Sequence, residues 1–536
     1  MGIAVIGAGV CGLGAIKCCL DEDLEPTCFE RSDDIGGLWK FQKNTAEKLP
    51  SIYRSLTINT SKEMMCYSDY PIPDDFPNYM HNSKVMEYFR MYAKHFNLLK
   101  YIRFKVQSIK KRPDFSSSGQ WDVVVEANEQ QESLVFDGIL VCSGHHTDPN
   151  LPLQSFPGIE RFKGNYFHSR EYKSPEEFLG KRIIVIGIGN SGADIAVELS
   201  RDAKQVFLST RHGSWILHRV WDNGYPMDTS FFTRFNNLLQ KIASFRITNN
   251  QLEKKLNSRF NHAHYGLQPQ LLSQHPTVSD DLPNHIISGK VLVKPNVKEF
   301  TKTAAIFEDG TIEEDIDVVI FATGYNISFP FLEDLIKVTN NEVSLYKLMF
   351  PPDLEQPTLA VIGLIQPLGI VLPIAELQSR WATRVFKGLN KLPSVKNMMT
   401  DITQRKTDMA KRYVKSPRHT IQVDHIEYMD EIATQIGVKP NLLWLFLWDP
   451  KLAWKVFFGP CTPYQYRLRG PRKWDGARRA ILTQTERILK PMKTRTINNE
   501  RNPSSEISWV KMAPVSFVIL ASVLSYYCYI YHPERK

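Results

Sequence analysis

The amino-acid sequence predicts an α/β chain carrying two Rossmann-like dinucleotide-binding folds and a C-terminal transmembrane helix, and three observations predict it. An apolar run, Ile3 to Ile6, passes directly into Gly7-Ala8-Gly9-Val10-Cys11-Gly12. The same arrangement returns as Ile183 to Ile186 followed by Gly187-Ile188-Gly189-Asn190-Ser191-Gly192. Near the end, Met512 to Tyr531 holds 20 residues without a charge. A chain of 536 residues, 43% of them apolar, is long enough to bury more than one core, and its length alone suggests two to four domains.

In the first element, Ile3 to Ile6 reads as a strand buried in a parallel sheet, and the glycine turn continues as a helix through Val10, Leu13 and Ile16. Gly7 allows the tight turn, Gly9 lets the backbone approach a pyrophosphate, and Gly12 lets helix and strand pack closely. The helix N-terminus then faces the phosphates. A second strand, Pro26 to Phe29, ends on Glu30, 23 residues beyond Gly7, where a carboxylate can accept from a ribose hydroxyl. The residues expected at this first nucleotide are Gly7, Ala8, Gly9, Val10, Cys11, Gly12 and Glu30.

Next come Gly36-Gly37-Leu38-Trp39, a turn whose backbone can lie close to a flat or phosphorylated group. Thr57 to Lys62 is polar and lacks periodicity, and the proline-punctuated stretch Tyr70 to Pro77 follows it, so this region reads as loop holding a site. Trp121 to Glu126, Leu134 to Phe136 and Gly138 to Cys142 read as strands. His145 and His146 read as a turn after a strand, because no cysteine or carboxylate cluster accompanies them; no metal site is expected.

The second glycine turn leads into a helix, Ala193 to Ser200, and then a strand, Gln205 to Thr210. This strand ends in Arg211-His212 where the first ends in an acid. A guanidinium there suits a 2′-phosphate, so the second nucleotide is expected to be NADPH. The stretch from Val220 to Leu282 lacks the βαβ rhythm and is expected to be helical and to lie over the cleft.

The net charge of +9 is mild, with no basic stripe carrying interleaved aromatics, which excludes a nucleic-acid partner. Eight cysteines are scattered without a CxxC pair, as reduced thiols of a cytosol-facing protein. With the first strand starting at residue 2 or 3, no secretory leader is expected. The uncharged stretch Met512 to Tyr531 is long enough to span a bilayer core of about 30 Å at about 1.5 Å per residue. Tyr526, Tyr527, Tyr529 and Tyr531 gather at one end. Arg487, Lys490, Lys493, Arg495, Arg501 and Lys511 precede it, against Arg535 and Lys536 after it, so the body is expected on the cytosolic side.

Phe162, Gly164, His168 and Tyr172 form FxGxxxHxxxY between the two glycine turns, and this resembles the identifying pattern of the flavin-containing monooxygenases. The resemblance extends through Gly36 to Trp39, the NTSKEM of Asn59 to Met64, the FATGY of Phe321 to Tyr325 and the GLIQPLG of Gly363 to Gly369, over nearly the whole chain. The resemblance is close to the vertebrate, membrane-bound members. It implies an NADPH domain of residues 154–330, with a helical insertion at about 220–282, inserted in an FAD domain of residues 1–153 and 331–443. A C-terminal region, 444–510, and an anchor, 511–532, complete the chain. The resemblance adds Gly37, Leu38, Trp39, Asn59 and Thr60 to the FAD contacts, and gives NADP the residues Ile58, Asn59, Gly187, Gly189, Asn190, Ser191, Gly192, Ala193, Asp194 and Arg211.

The activity implied is NADPH- and oxygen-dependent oxygenation of soft nitrogen or sulfur nucleophiles through a flavin C4a-hydroperoxide, with Asn59 as the catalytic residue. The partners implied are small lipophilic amines or sulfides, molecular oxygen and membrane lipid, at the endoplasmic reticulum; a homo-oligomer is left open. Baeyer-Villiger oxygenation of ketones, an uncoupled NADPH oxidase and a catalytically silent cofactor-binding protein are the alternatives. A disulfide reductase is excluded by the missing redox cysteine pair. The chain departs from relatives at Cys11, at Lys48-Leu49-Pro50, and at Ile370 and Ile374, whose bulk would narrow a pocket they lined.

Overall fold

The computed structural model describes residues 1–495 apart from 45–48, 105–107, 128–129, 243–244, 268–274, 333–334, 370 and 414–419. The expected membrane span, residues 512–531, lies outside the described residues, as do Lys48 and Ile370; no described helix is long and apolar enough to cross a membrane. Residues 1–491 form one compact unit and residues 492–536 a second.

Two five-stranded sheets, both parallel throughout, organise the larger unit. The first is built from β1 (Gly2–Ile6), β2 (Glu25–Glu30), β3 (Ile102–Phe104), β4 (Gly138–Val141) and β10 (Leu359–Val361), in the order β10-β4-β1-β2-β3. The second uses β5 (Asn165–His168), β6 (Arg182–Ile186), β7 (Gln205–Ser209), β8 (Val291–Lys294) and β9 (Val318–Phe321), in the order β8-β7-β6-β9-β5. Ile3, Val5, Ile183 and Val185 are wholly buried, as unbroken apolar runs require when helices cover both faces of a sheet. Each such side chain contributes about 1.5–3 kcal/mol by leaving water.

The fifth strand of the first sheet comes after the whole second sheet, so the chain leaves and returns once. The two crossings lie side by side: Asp148–Pro149 pairs antiparallel with Tyr325–Asn326. Thr323 Oγ1 donates to the Asn150 carbonyl at 2.6 Å, and the Asn150 N–H to the Gly324 carbonyl at 2.9 Å.

The helix α1 (Val10–Asp21) follows β1, and α2 (Asn190–Leu199) follows β6, beginning three residues before the predicted start. The long helix α3 (Leu372–Phe386) packs on α1 and carries Ile374 wholly inside the core, so this isoleucine lines no open pocket. The insertion is mostly helical, with helices at Met227–Phe231, Arg234–Ile242 and Phe245–Asn257; its ends are held together by the parallel pairing of Ile216–Leu217 with Thr277–Val278. Residues of the last described helices, among them Leu445, Val456, Tyr464 and Ile481, share one core with the first sheet.

Ser61, Lys62 and Glu63 depart from the loop reading: they are buried, and Lys62–Met65 forms one helical turn. Lys62 Nζ donates to the carbonyls of Asp74 (2.6 Å) and Phe76 (2.9 Å), and Glu63 takes Arg487 Nε and Tyr464 OH, both at 2.9 Å. Their partners lie 12 to more than 400 residues away, which no local pattern reveals.

Candidate active site

Each glycine turn is a separate anion cradle with the same build. Gly7 and Gly187 sit in left-handed conformations, φ +104 and +107, and their N–H groups donate to Phe29 (2.8 Å) and Ser209 (2.9 Å) in the neighbouring strands. A Cβ on Gly12 would lie 1.8 Å from the Gly7 carbonyl oxygen, and one on Gly192 would lie 1.9 Å from that of Gly187, so both are packing requirements. Gly9 and Gly189 differ. Their φ values of −70 and −65 suit any residue, and a Cβ would meet nothing closer than 3.6 Å at Gly9 and nothing within 4 Å at Gly189. The protein itself gives neither glycine a reason; a pyrophosphate seated against the backbone does. No side chain caps either helix and neither first turn carries an acid, which leaves N–H donors for phosphate oxygens. The residues present therefore fit two dinucleotides.

The two cradles are finished differently. Gly36 donates its N–H to the Ala8 carbonyl at 3.0 Å, and the Gly37 backbone lies against that of Gly9, so these two glycines roof the first turn, and Leu38 and Trp39 continue from them in a single helical turn. Glu30 ends β2 buried, its two oxygens accepting from the N–H of Ala8 (2.6 Å) and of Ser32 (2.8 Å), each with a lone pair left for a ribose hydroxyl. Cys11 lies half-buried against Gly363, the first glycine of GLIQPLG. At the second turn Gly189 and Ser191 are exposed, and Arg211, just past β7, is exposed with no ion-pair partner among the described residues. Ala193 is buried in the body of α2.

Between the cradles runs the segment carrying Ile58, Asn59 and Thr60. On one side Tyr67 OH donates to the Val10 carbonyl at 2.7 Å, in the first turn of α1. On the other, Asn59 Oδ1 accepts from Arg219 Nη2 at 2.6 Å. Arg219 reaches Asp280 twice, through its N–H (2.9 Å) and Nη1 (3.1 Å), and two residues away Val278 donates its N–H to Asn190 Oδ1 at 2.8 Å. A path of direct contacts thus leads from the second turn to Asn59. Ile58 is buried and donates its N–H to Met80, while Asn59 and Thr60 are half-buried. Ser61, next along, gives its N–H to Asp228 Oδ2 at 2.7 Å. Burial pushes the Asp228 carboxyl up to about 6.

Asp194, expected at NADP, accepts from Tyr53 OH on the first part of the chain, and Glu198 on the same helix accepts from Tyr172 OH at 2.8 Å. The FxGxxxHxxxY residues are structural. Phe162 packs on Phe300, a Cβ on Gly164 would lie 2.5 Å from the Asp317 carbonyl oxygen, and Tyr172 holds α2. His168 Nδ1 accepts from the Arg170 N–H, so its Nε2–H donates to the Gly324 carbonyl at 2.9 Å and clasps the returning crossing. At the departure from relatives near Pro50, the Leu49 carbonyl accepts from Arg170 Nη2 at 2.8 Å. Sequence reasoning missed Arg219, Asp228 and Asp280: they lie in a stretch without a recognisable pattern, and their contacts span 61 to 167 residues.

The sequence profile of the family described as "Flavin-binding monooxygenase-like" matches residues 1–528. Flavin-containing monooxygenase 5 of Oryctolagus cuniculus is 64% identical over 526 residues, 97% of this chain and 99% of that protein. Dimethylaniline monooxygenase [N-oxide-forming] 2 of Mus musculus is 56% identical over 535 residues, 98% of each. Among solved structures, S-allyl-L-cysteine S-oxygenase from Allium sativum superposes with a TM-score of 0.62 at 25% identity, covering 81% of this chain and 88% of that one.

Proposed function

This chain belongs to the flavin-binding monooxygenase-like family, and from that premise we propose that it oxygenates soft nitrogen and sulfur nucleophiles at a site lying between its two nucleotide cradles, next to Asn59. That it is an FAD- and NADPH-dependent monooxygenase follows from its family. The observation that carries the placement is the Asn59 segment, tied to the first turn through Tyr67 and Val10 and to the second through Arg219, Asp280, Val278 and Asn190. FAD held there would supply the activation of oxygen at the expense of NADPH, with one oxygen atom passing to the substrate and the other to water.

The chain's residues bind, orient and shield. The N-termini of α1 and α2 hold the pyrophosphates, Glu30 accepts from the FAD ribose, and Arg211 meets the 2′-phosphate of NADPH. Asn59 supplies a fixed donor near the reacting centre, where a preorganised dipole in a water-poor site acts most strongly. The domain reading is an NADPH module of residues 154–330 set into the FAD module; the paired crossings support it.

The enzyme is further proposed to sit on the cytosolic face of the endoplasmic reticulum membrane through residues 511–532. Two features support a membrane surface. The tail carries the uncharged stretch of residues 512–531. In the larger unit, Leu443, Trp444, Leu447 and Trp448 of the helix Leu442–Trp448 are 56 to 78% exposed, with Lys439, Lys451 and Lys455 close in sequence.

Incubation with NADPH and, in turn, a tertiary amine, a thioether and a ketone tests the activity. The N-oxide and the sulfoxide are the expected products. Ester from the ketone alone would move the reading to Baeyer-Villiger chemistry, and NADPH consumption with hydrogen peroxide as the only product would overturn it. Truncation before Lys511 should release a yellow protein from membranes; retention at high salt would mean that the helix Leu442–Trp448 docks as well.

A further inference from the structure

Asn59 is proposed above as the donor beside the reacting atoms, but an asparagine amide can present either end. We infer that Arg219 is the positioning residue that decides which, and that Asp280 in turn fixes Arg219. This rests on the assignment of Asn59 to the site.

A guanidinium carries donors only, so the Asn59 atom that lies 2.6 Å from Arg219 Nη2 must be the carbonyl oxygen Oδ1. With that end engaged, the two N–H bonds of Nδ2 are the ones left over, and no acceptor among the described residues takes them. The amide is thereby held as a donor.

Arg219 is itself held from several directions. Asp280 accepts from both its backbone N–H and Nη1, its carbonyl accepts from Tyr79 OH at 3.0 Å and from the Met227 N–H at 2.9 Å, and its guanidinium lies 6.0 Å from the centre of the Tyr79 ring. Its side chain is 16% exposed. A charged donor so confined makes the short contact it has with Asn59 both strong and directional. The neighbouring insertion carboxylate, Asp228, anchors Ser61 two residues on, so the insertion grips the segment on both sides of Thr60. The insertion, which has no βαβ pattern of its own, thus aims the amide that the first module contributes.

The contact lies wholly between two side chains of the protein, and this gives the inference a readout apart from turnover. In a double-mutant cycle, Asn59→Ala, Arg219→Met and the pair are made in the full-length holoenzyme and checked for bound flavin. Four quantities are measured: the thermal unfolding midpoint, the dissociation constant for NADP⁺ by anaerobic titration, the rate of flavin reduction by NADPH, and organic product against hydrogen peroxide per NADPH consumed. Asn59→Ala should lower product per NADPH about a hundredfold, as loss of one preorganised donor does, with reduction changed only a few-fold. Arg219→Met should lower it about tenfold. The pair should be no worse than Asn59→Ala alone, and the two shifts in unfolding midpoint should fall short of additive, because residues in contact couple.

Asp280→Asn keeps an acceptor for the Arg219 N–H but loses the charge; it should fall between wild type and Arg219→Met, and it serves as the second variant if Arg219→Met does not fold. Multiplicative losses in product and additive midpoint shifts would overturn the inference while leaving Asn59 in its role. A rise in the NADP⁺ dissociation constant as the main effect of Arg219→Met would overturn it too, by making Arg219 a nucleotide ligand. No effect of Asn59→Ala would instead sink the assignment of Asn59.

Discussion

The two nucleotide modules share a turn to within a few degrees and tenths of an ångström, yet one is roofed and the other is open. At the first, Gly37 covers Gly9 and Glu30 is hydrogen-bonded to the backbone of its own turn. At the second, a Cβ on Gly189 would meet nothing within 4 Å, and Arg211 stands exposed. The shared part is what any pyrophosphate needs; the difference is what the proposed assignment of FAD to the first cradle and NADPH to the second calls for. Under that assignment FAD remains through each cycle, whereas NADPH leaves as NADP⁺. A closed cradle built on its own hydrogen bonds suits the first, and an open one with an exposed cation suits the second.

The largest effect should come from exchanging the glycines that have no packing role. Gly9→Ala should give a folded but colourless protein, and Gly189→Ala a yellow protein that no longer oxidises NADPH. Both unfolding midpoints should stay within a few degrees of wild type, since a Cβ there meets only ordinary contacts or open space. Loss of the same cofactor by both variants would erase the distinction between the modules, and flavin content by absorbance with NADPH oxidation rates decides it.

A smaller change is expected at the rim of the open cradle. Arg211→Glu should weaken NADPH binding by one to two decades and leave NADH almost unchanged, since a charge-assisted contact to phosphate is worth about 1.5–3 kcal/mol. Titration of the oxidised enzyme with NADP⁺ and NAD⁺ measures this, and equal losses for both would remove Arg211 from the 2′-phosphate.

The smallest effect concerns the seam between the modules. Burial raises Asp228 from 3.8 to about 6, so the folded protein holds this proton more tightly than the unfolded chain. Its contribution to stability is therefore full below about pH 4 and is lost as the pH rises through 6. Asp194, also raised to about 6 by burial, acts in the same direction. Relative to wild type, the Asp228→Asn unfolding midpoint should gain a few degrees on going from pH 4 to 6, since this one pH-dependent loss is removed. An unchanged slope would mean that Ser61 is held some other way.

Both cradles were legible in the sequence because their requirements are local: an apolar run, three glycines at fixed spacing and a helix are all set by residues within about a dozen positions. The acid at Glu30 and the cation at Arg211 follow from strand length by the same logic. Ser61 to Glu63 show where this logic stops. Their polarity reads as exposure, yet they are buried because Asp228, Tyr464 and Arg487 satisfy them from 167 to more than 400 residues away. Arg219 and Asp280 escaped for the same reason. Ile374 shows the converse, a position whose chemistry suggested a pocket wall and whose helix turns it into the core.

The returning crossing also sets a schedule for biosynthesis. Every strand of the second sheet lies between residues 165 and 321, so that module can fold as soon as it has emerged. The first sheet, begun at residue 2, stays open at one edge until Leu359–Val361 leaves the ribosome. Because that strand pairs with Gly138–Val141, an apolar edge stays unpaired for roughly 10 to 45 s at about 5–20 residues per second. Limited proteolysis of released chains truncated before Leu359, which hold every strand of the second sheet and lack the last strand of the first, should find the later module protected and the earlier one cleavable, the reverse of their order in the chain.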